Sequence, residues 1–116
     1  MDLQLSARAG RACAVVEVGG ELDMDTVPQL QDVLQEVADG GTRQVVLDFA
    51  DVTFMDSSGL GLLVDWYKRL RDLNGRLCLA AVRQPVRAVL VLSAVDQVVE
   101  VYDTVAAAEA DMPPAA

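Results

Sequence analysis

The sequence lacks histidine altogether and contains a single lysine, Lys68. A serine nucleophile needs a neighbouring base, so a Ser-His-Asp triad is excluded. A Ser-Lys pair would have to join Ser57 to Lys68, which lies eleven residues further along one helical segment, roughly 16 Å away. Nucleotide-binding loops of the Gly-x-Gly-x-x-Gly or Gly-Lys-Ser type are also missing. We therefore expect a protein that is not an enzyme.

Cysteine is scarce as well. Cys13 and Cys78 each lie inside an apolar run, with no Cys-x-x-Cys spacing between them. Without histidine as a partner ligand, the two thiols give little support for a metal site or a redox pair. We expect both to be small buried apolar side chains, and we expect no metal and no cofactor.

Long apolar runs are absent too. Runs such as residues 88–92 fall far short of the roughly 20 residues that span a bilayer. The first residues are interleaved with polar ones and lack the basic start and apolar stretch of a secretory signal. The sequence therefore predicts a cytoplasmic protein without a membrane-spanning segment.

Basic residues are outnumbered two to one. Nine lysines and arginines stand against 18 aspartates and glutamates, for a net charge of −9. A surface of this sign repels a nucleic-acid backbone and an anionic membrane. We expect neither nucleic acid nor membrane as a partner.

What the chain does have is enough apolar material for one core. Of its 116 residues, 53% are hydrophobic, and no repeat or linker divides them. We expect a single domain at residues 1–112. The last residues, 113–116, are rich in proline and alanine and are expected to form a flexible tail.

Short strands alternate with amphipathic helices, which predicts an α/β fold. Strands are expected near residues 3–7, 14–18, 45–49, 77–82 and 98–102, and helices near residues 27–38, 60–70, 86–90 and 104–110. The third strand is apolar almost throughout, as expected of a central strand covered on both faces. Parallel strands joined by crossover helices should follow from this order.

Local signals place the ends of these elements. Gly19-Gly20 is expected to stop the second strand, and Thr26 followed by Gln29 resembles a capping box at the start of the first helix. The second helix is expected to turn its apolar stripe to the core; the stripe comprises Leu60, Leu63, Val64, Tyr67 and Leu70.

A serine-rich segment separates the third strand from the second helix. Asp56, Ser57 and Ser58 are residue types that cap helices, so structure alone could account for them. Gly59 and Gly61 each cost a helix roughly 0.5–1 kcal/mol relative to alanine, so their smallness should bring some gain. A first turn without side chains would let a partner or a phosphate approach the backbone, where the helix dipole favours negative charge. A structural cap and a phosphorylated switch both fit these residues.

Two motifs carry a resemblance to a known family. Gly20-Glu21-Leu22-Asp23 before a helix, followed by Phe54-Met55-Asp56-Ser57-Ser58-Gly59-Leu60-Gly61, resembles the bacterial anti-sigma factor antagonists, which are single STAS domains. The resemblance spans essentially the whole chain. It implies the STAS fold, a mixed sheet of four to five strands with about four helices.

The resemblance also implies roles for individual residues. In the family the first hydroxyl after the aspartate is phosphorylated, which corresponds to Ser57 here. Asp23 matches an acidic residue of the family that lies near this serine and takes part in contacts with the kinase partner. An ordinary Asx turn would also explain an aspartate at this position. The expected partner-binding residues are Asp23, Asp56, Ser57, Ser58, Gly59, Leu60 and Gly61.

The implied function is a partner switch. The unphosphorylated domain would bind an anti-sigma factor that is itself a serine kinase, and so release a sigma factor. Phosphorylation would reverse this, and a serine phosphatase would restore the active form, with ATP and metal held by these partners. The alternative is a STAS adaptor or scaffold that does not switch, in a stress-signalling complex or a lipid transporter.

Overall fold

A five-stranded sheet organises the chain in the computed structural model, which describes residues 2–10 and 12–113. The strands are β1 (Gln4–Ala9), β2 (Ala14–Leu22), β3 (Gln44–Met55), β4 (Arg76–Ala80) and β5 (Glu100–Tyr102). The helices are α1 (Val27–Asp39), α2 (Ser57–Asp72), α3 (Gln84–Leu92) and α4 (Val105–Ala110), with a single 3₁₀ turn at Val95–Gln97. Arg11 of the expected first turn and residues 114–116 of the expected tail lie outside the described residues.

The sheet is mixed and follows chain order, β1-β2-β3-β4-β5. β1 and β2 form an antiparallel hairpin, whereas β2 to β5 run parallel. The prediction of an α/β fold with parallel crossovers is therefore confirmed. β3 lies at the centre, which confirms the inference drawn from its apolar run.

One face of the sheet carries the main core. α1, α2 and α3 pack there against fully buried side chains of the central strands, such as Leu47 and Phe49. In α2 the residues that turn inward are Leu62, Leu63, Trp66 and Leu70, whereas Leu60, Val64 and Tyr67 are only half-buried. These three half-buried side chains still pack against the core, so the predicted stripe is confirmed, although it left out Leu62 and Trp66.

Among the described residues, α4 and the turn that follows it cover the opposite face of the sheet. Ala108 and Met112 pack over Val15 and Val46, next to both cysteines. Cys13 and Cys78 are buried and unpaired, which confirms that they act as small apolar side chains. Polar contacts hold this segment at its margin: Arg76 donates to the carbonyl oxygen of Asp111 at 2.8 Å.

Alkaline conditions should destabilise the domain through this face. Burial raises the pKa of the Cys78 thiol to about 12, whereas a thiol in an unfolded chain ionises near 8.5. The unfolded state then loses its proton first, so the free energy of unfolding should fall as the pH rises from about 8.5 towards 12. Urea titrations at increasing pH measure this slope. Cys78→Ala should show a shallower slope, and an equal slope in both proteins would contradict the assignment.

Two strands are longer than the sequence indicates. β2 does not stop at Gly19-Gly20 but continues to Leu22, with register shifts on either side of these glycines. Gly20 has φ +110°, a conformation that suits glycine, so the pair forms a bulged bend inside the strand and does not end it. β3 likewise continues past residue 49 to Met55, paired with the extension of β2.

The predicted capping box is wrong. Thr26 is the N-cap of α1, but its side chain makes no capping hydrogen bond. Its hydroxyl donates instead to the carbonyl oxygen of Glu21 at 2.6 Å and accepts from the amide of Asp23 at 3.0 Å. Gln29 accepts from the amide of Leu3 at 2.8 Å. Thr26 therefore ties the start of α1 to β2, and Gln29 ties the same helix to the residue before β1.

None of the helices within the described residues combines the length and the apolar character needed to cross a membrane.

Candidate functional site

The candidate site forms where β2 and β3 end side by side. Leu22 and Met55 are register partners at the carboxyl ends of these parallel strands, and the amide of Asp56 donates to the carbonyl oxygen of Leu22 at 3.1 Å. Asp23 follows Leu22, and Asp56 follows Met55. The structure thus brings the two predicted motifs together at one edge of the sheet, although they are far apart in sequence.

Asp56 caps α2. Its backbone is extended, and its side-chain Oδ1 accepts a hydrogen bond from the amide of Ser58 at 2.8 Å. The capping role is therefore filled by the aspartate, not by either serine. Ser57, the first residue of the helix, is exposed, and Ser58 is half-buried. The Ser57 hydroxyl is accessible at a helix N-terminus without serving as the cap.

Asp23 shapes the loop between β2 and α1. Its Oδ1 accepts from the amides of Asp25 and Thr26, both at 3.0 Å, which is the Asx turn named as the structural alternative for this residue. The Thr26 side chain ties the same loop to Glu21. The loop next to Ser57 is therefore held by its own hydrogen bonds.

Gly59 is small for a packing reason. It is buried, and a Cβ at this position would lie 2.5 Å from Cγ and 3.0 Å from Sδ of Met55. Packing against Met55 is therefore enough to explain the glycine, and contact of Gly59 with a partner stays a prediction. Gly61 differs, because it is exposed and a Cβ there would meet nothing within 4 Å. Leu60, between them, is half-buried against the core.

Four acidic residues lie at the ends of β2 and β3 or in the segments that directly follow them. We call Glu21, Asp23, Asp25 and Asp56 the acidic edge. Among residues 2–10 and 12–113, no lysine or arginine nitrogen lies within ion-pair distance of these four groups. The N-terminal dipole of α2 offsets part of this negative charge. Across the same residues, no group of three or more His, Cys, Asp and Glu side chains is placed to hold a metal ion.

Two exposed apolar side chains at this edge were missed by the sequence analysis. Met24, between Asp23 and Asp25, is 75% exposed, and Phe54, two residues before Asp56, is 46% exposed. The signal for Met24 was present, since an apolar residue between two aspartates in a turn has no place in a core. Phe54 was named only as the first residue of the serine motif, and no role was assigned to it.

Comparison with known proteins extends these observations. The family model of the STAS domain matches residues 4–108. The anti-sigma-B factor antagonist of Staphylococcus aureus is 38% identical over 82 residues, which cover 71% of this chain and 76% of that protein.

Solved structures agree in fold. An anti-sigma factor antagonist from Mycobacterium paratuberculosis superposes with a TM-score of 0.83 at 27% identity, over 94% of this chain and 95% of that one. The Bacillus cell fate determinant SpoIIAA in its phosphorylated form superposes with a TM-score of 0.69 at 27% identity, over 91% and 95%. The predicted STAS fold and the resemblance are confirmed. The chain belongs to the STAS domain family, among the anti-sigma factor antagonists.

Proposed function

We propose that this chain is a partner switch controlled by phosphorylation of Ser57. The unphosphorylated form binds an anti-sigma factor that is also a serine kinase, and this binding frees a sigma factor in the cytoplasm. The observation that carries the proposal is the exposed Ser57 hydroxyl, free of the capping role that Asp56 fills, on an edge shared with Asp23. SpoIIAA, a structural relative, is known in a phosphorylated form.

The chain itself contributes a nucleophile and a docking surface to the reaction. Oγ of Ser57 attacks the γ-phosphorus of an ATP held by the kinase, the bond from that phosphorus to the bridging oxygen breaks, and ADP leaves. The serine proton passes to a general base on the kinase. A phosphatase then hydrolyses the phosphoserine with water, which restores the serine hydroxyl and releases inorganic phosphate. ATP and metal belong to these partners.

Phosphorylation should release the partner without unfolding the domain. Ser57 is exposed at the N-terminus of α2, where the helix dipole favours an anion. In the complex, however, Ser57 faces the ATP site, so phosphoserine would meet the phosphates of ADP. A group of about −1.5 to −2 charges is then repelled by like charge, and the contact is lost.

The first prediction for this function concerns the modified residue. Incubation with the cognate kinase and ATP should add one phosphate to the wild type and none to Ser57→Ala, as read by intact-mass analysis. Ser58→Ala, which removes the neighbouring hydroxyl, should still gain one phosphate and serves as the matched control. Labelling that persists in Ser57→Ala would reject the assignment.

Binding gives a second readout for the same variants. Ser57→Ala should stay bound to the kinase in the presence of ATP, whereas Ser57→Asp should raise the Kd by roughly tenfold or more. The kinase is obtained by pull-down with the unphosphorylated wild type and recognised by a histidine-kinase-like ATPase domain. Recovery of a transporter subunit in its place would favour the adaptor function.

A further inference from the structure

Met24 stands out on the acidic edge. It is 75% exposed, the highest value among the large apolar side chains near Ser57. It belongs to the turn that begins at Asp23, directly beside the β3 end that leads into Ser57. Nothing in the core requires a methionine at this position.

The turn holds the Met24 backbone in place. The amide of Thr26 donates to the carbonyl oxygen of Asp23 at 3.2 Å, and the amide of Val27 donates to the same oxygen at 2.9 Å. The Asp23 carboxylate adds two further hydrogen bonds to the turn, because it accepts from the backbone amides of Asp25 and Thr26. A side chain displayed on an already ordered backbone loses little backbone entropy on binding, so it suits an interface.

The charge around Met24 restricts what can cover it. Its chain neighbours Asp23 and Asp25 are acidic, and the acidic edge has no ion pair within the part of the chain that the structure describes. A partner that buries the methionine must also face these carboxylates. Lysine or arginine around an apolar socket is the complementary arrangement.

We infer that Met24 is the apolar anchor of the docking surface. It inserts into an apolar socket on the anti-sigma factor kinase, and basic residues at the rim of the socket face Asp25. Methionine is flexible and polarisable, so it fills such a socket well. The inference rests on the proposed function and names the chemistry of the partner's surface.

Matched substitutions test the anchor. Met24→Gln keeps the length of the side chain and makes its end polar, whereas Leu92→Gln makes the same kind of change at an 88% exposed position at the end of α3. With purified kinase and no ATP, Met24→Gln should raise the Kd by roughly tenfold or more, mainly through faster dissociation. Leu92→Gln should stay within about twofold of wild type, and both variants should unfold at the wild-type urea midpoint.

Two further measurements address the socket and its rim. Asp25→Asn should slow association and flatten its dependence on salt, because steering by opposite charges is lost. In protein labelled with ¹³C at the methionine methyl groups, the Met24 signal should shift on addition of kinase. The signal of Met112, which is buried on the opposite face of the sheet, should move little.

The results separate this inference from the proposed function. If Met24→Gln binds like Leu92→Gln while Ser57→Asp still releases the kinase, the switch stands and the anchor is refuted. If the wild type fails to bind any kinase, the proposed function fails first. An Asp25→Asn variant with unchanged association kinetics would refute the basic rim.

Discussion

Replacing Gly59 with alanine should lower the free energy of unfolding by about 1–2 kcal/mol. The added methyl group would overlap Cγ of Met55 and press against Cβ of Leu22, the two residues at which β2 and β3 end. Crowding in a packed core costs about 1–3 kcal/mol, and the gain in helix propensity returns only part of this. Urea unfolding followed by the fluorescence of Trp66, the single tryptophan, measures the change.

Gly61 provides the matched control for Gly59. It lies in the same helix two residues later, with open space where a Cβ would be. Gly61→Ala should therefore stabilise the domain by about 0.5–1 kcal/mol. If Gly59→Ala proved as stable as wild type and yet bound the kinase weakly, Gly59 would act in docking and its packing explanation would be wrong.

Alanine at Gly75 should have a still larger effect, a loss of about 3 kcal/mol or more. Its Cβ would lie 2.0 Å from the carbonyl oxygen of Arg43, a backbone atom that cannot shift as cheaply as the end of a flexible side chain. That oxygen accepts from the amide of Arg76 at 2.8 Å, where β3 and β4 begin to pair. Pushing it aside would break this bond and misalign two central strands.

The same urea titration tests Gly75, with Gly40→Ala as its control. Gly40 follows α1, has a helical φ of −76°, and would place a Cβ at ordinary contact distances of 3.5 Å from two carbonyl oxygens. Its substitution should change the unfolding free energy by less than about 1 kcal/mol. A Gly75→Ala protein no less stable than Gly40→Ala would show that the Arg43 segment can retreat.

Hydrophobic periodicity was enough to find the strands and helices, because each buries one side against a neighbour. It did not find where β2 and β3 end. Gly19-Gly20 looks like a stop in sequence, yet pairing with β3 carries the strand through a bulge to Leu22. That pairing depends on residues more than thirty positions away, which no local pattern records.

The sequence identified the residues of the candidate site but did not show which of them serve the fold and which are free to bind a partner. The serine motif was identified from its residues and Asp23 from the family resemblance, and the strand register shows that they share an edge. Which residue caps α2 could not be decided, since Asp56 and both serines are good caps. The tight contact of Gly59 with Met55 is a product of packing, so it becomes visible only in three dimensions.

Asp56 caps α2 while Ser57 stays free for modification, and this separation of roles affects how a cell could use the protein. Since the aspartate stabilises the helix start and the serine stands apart from it, both chemical forms should resist proteases equally well. The same protein molecules could then be phosphorylated and dephosphorylated repeatedly, without new synthesis. Under the proposed function, the speed of the response would be set by the kinase and the phosphatase that act on Ser57.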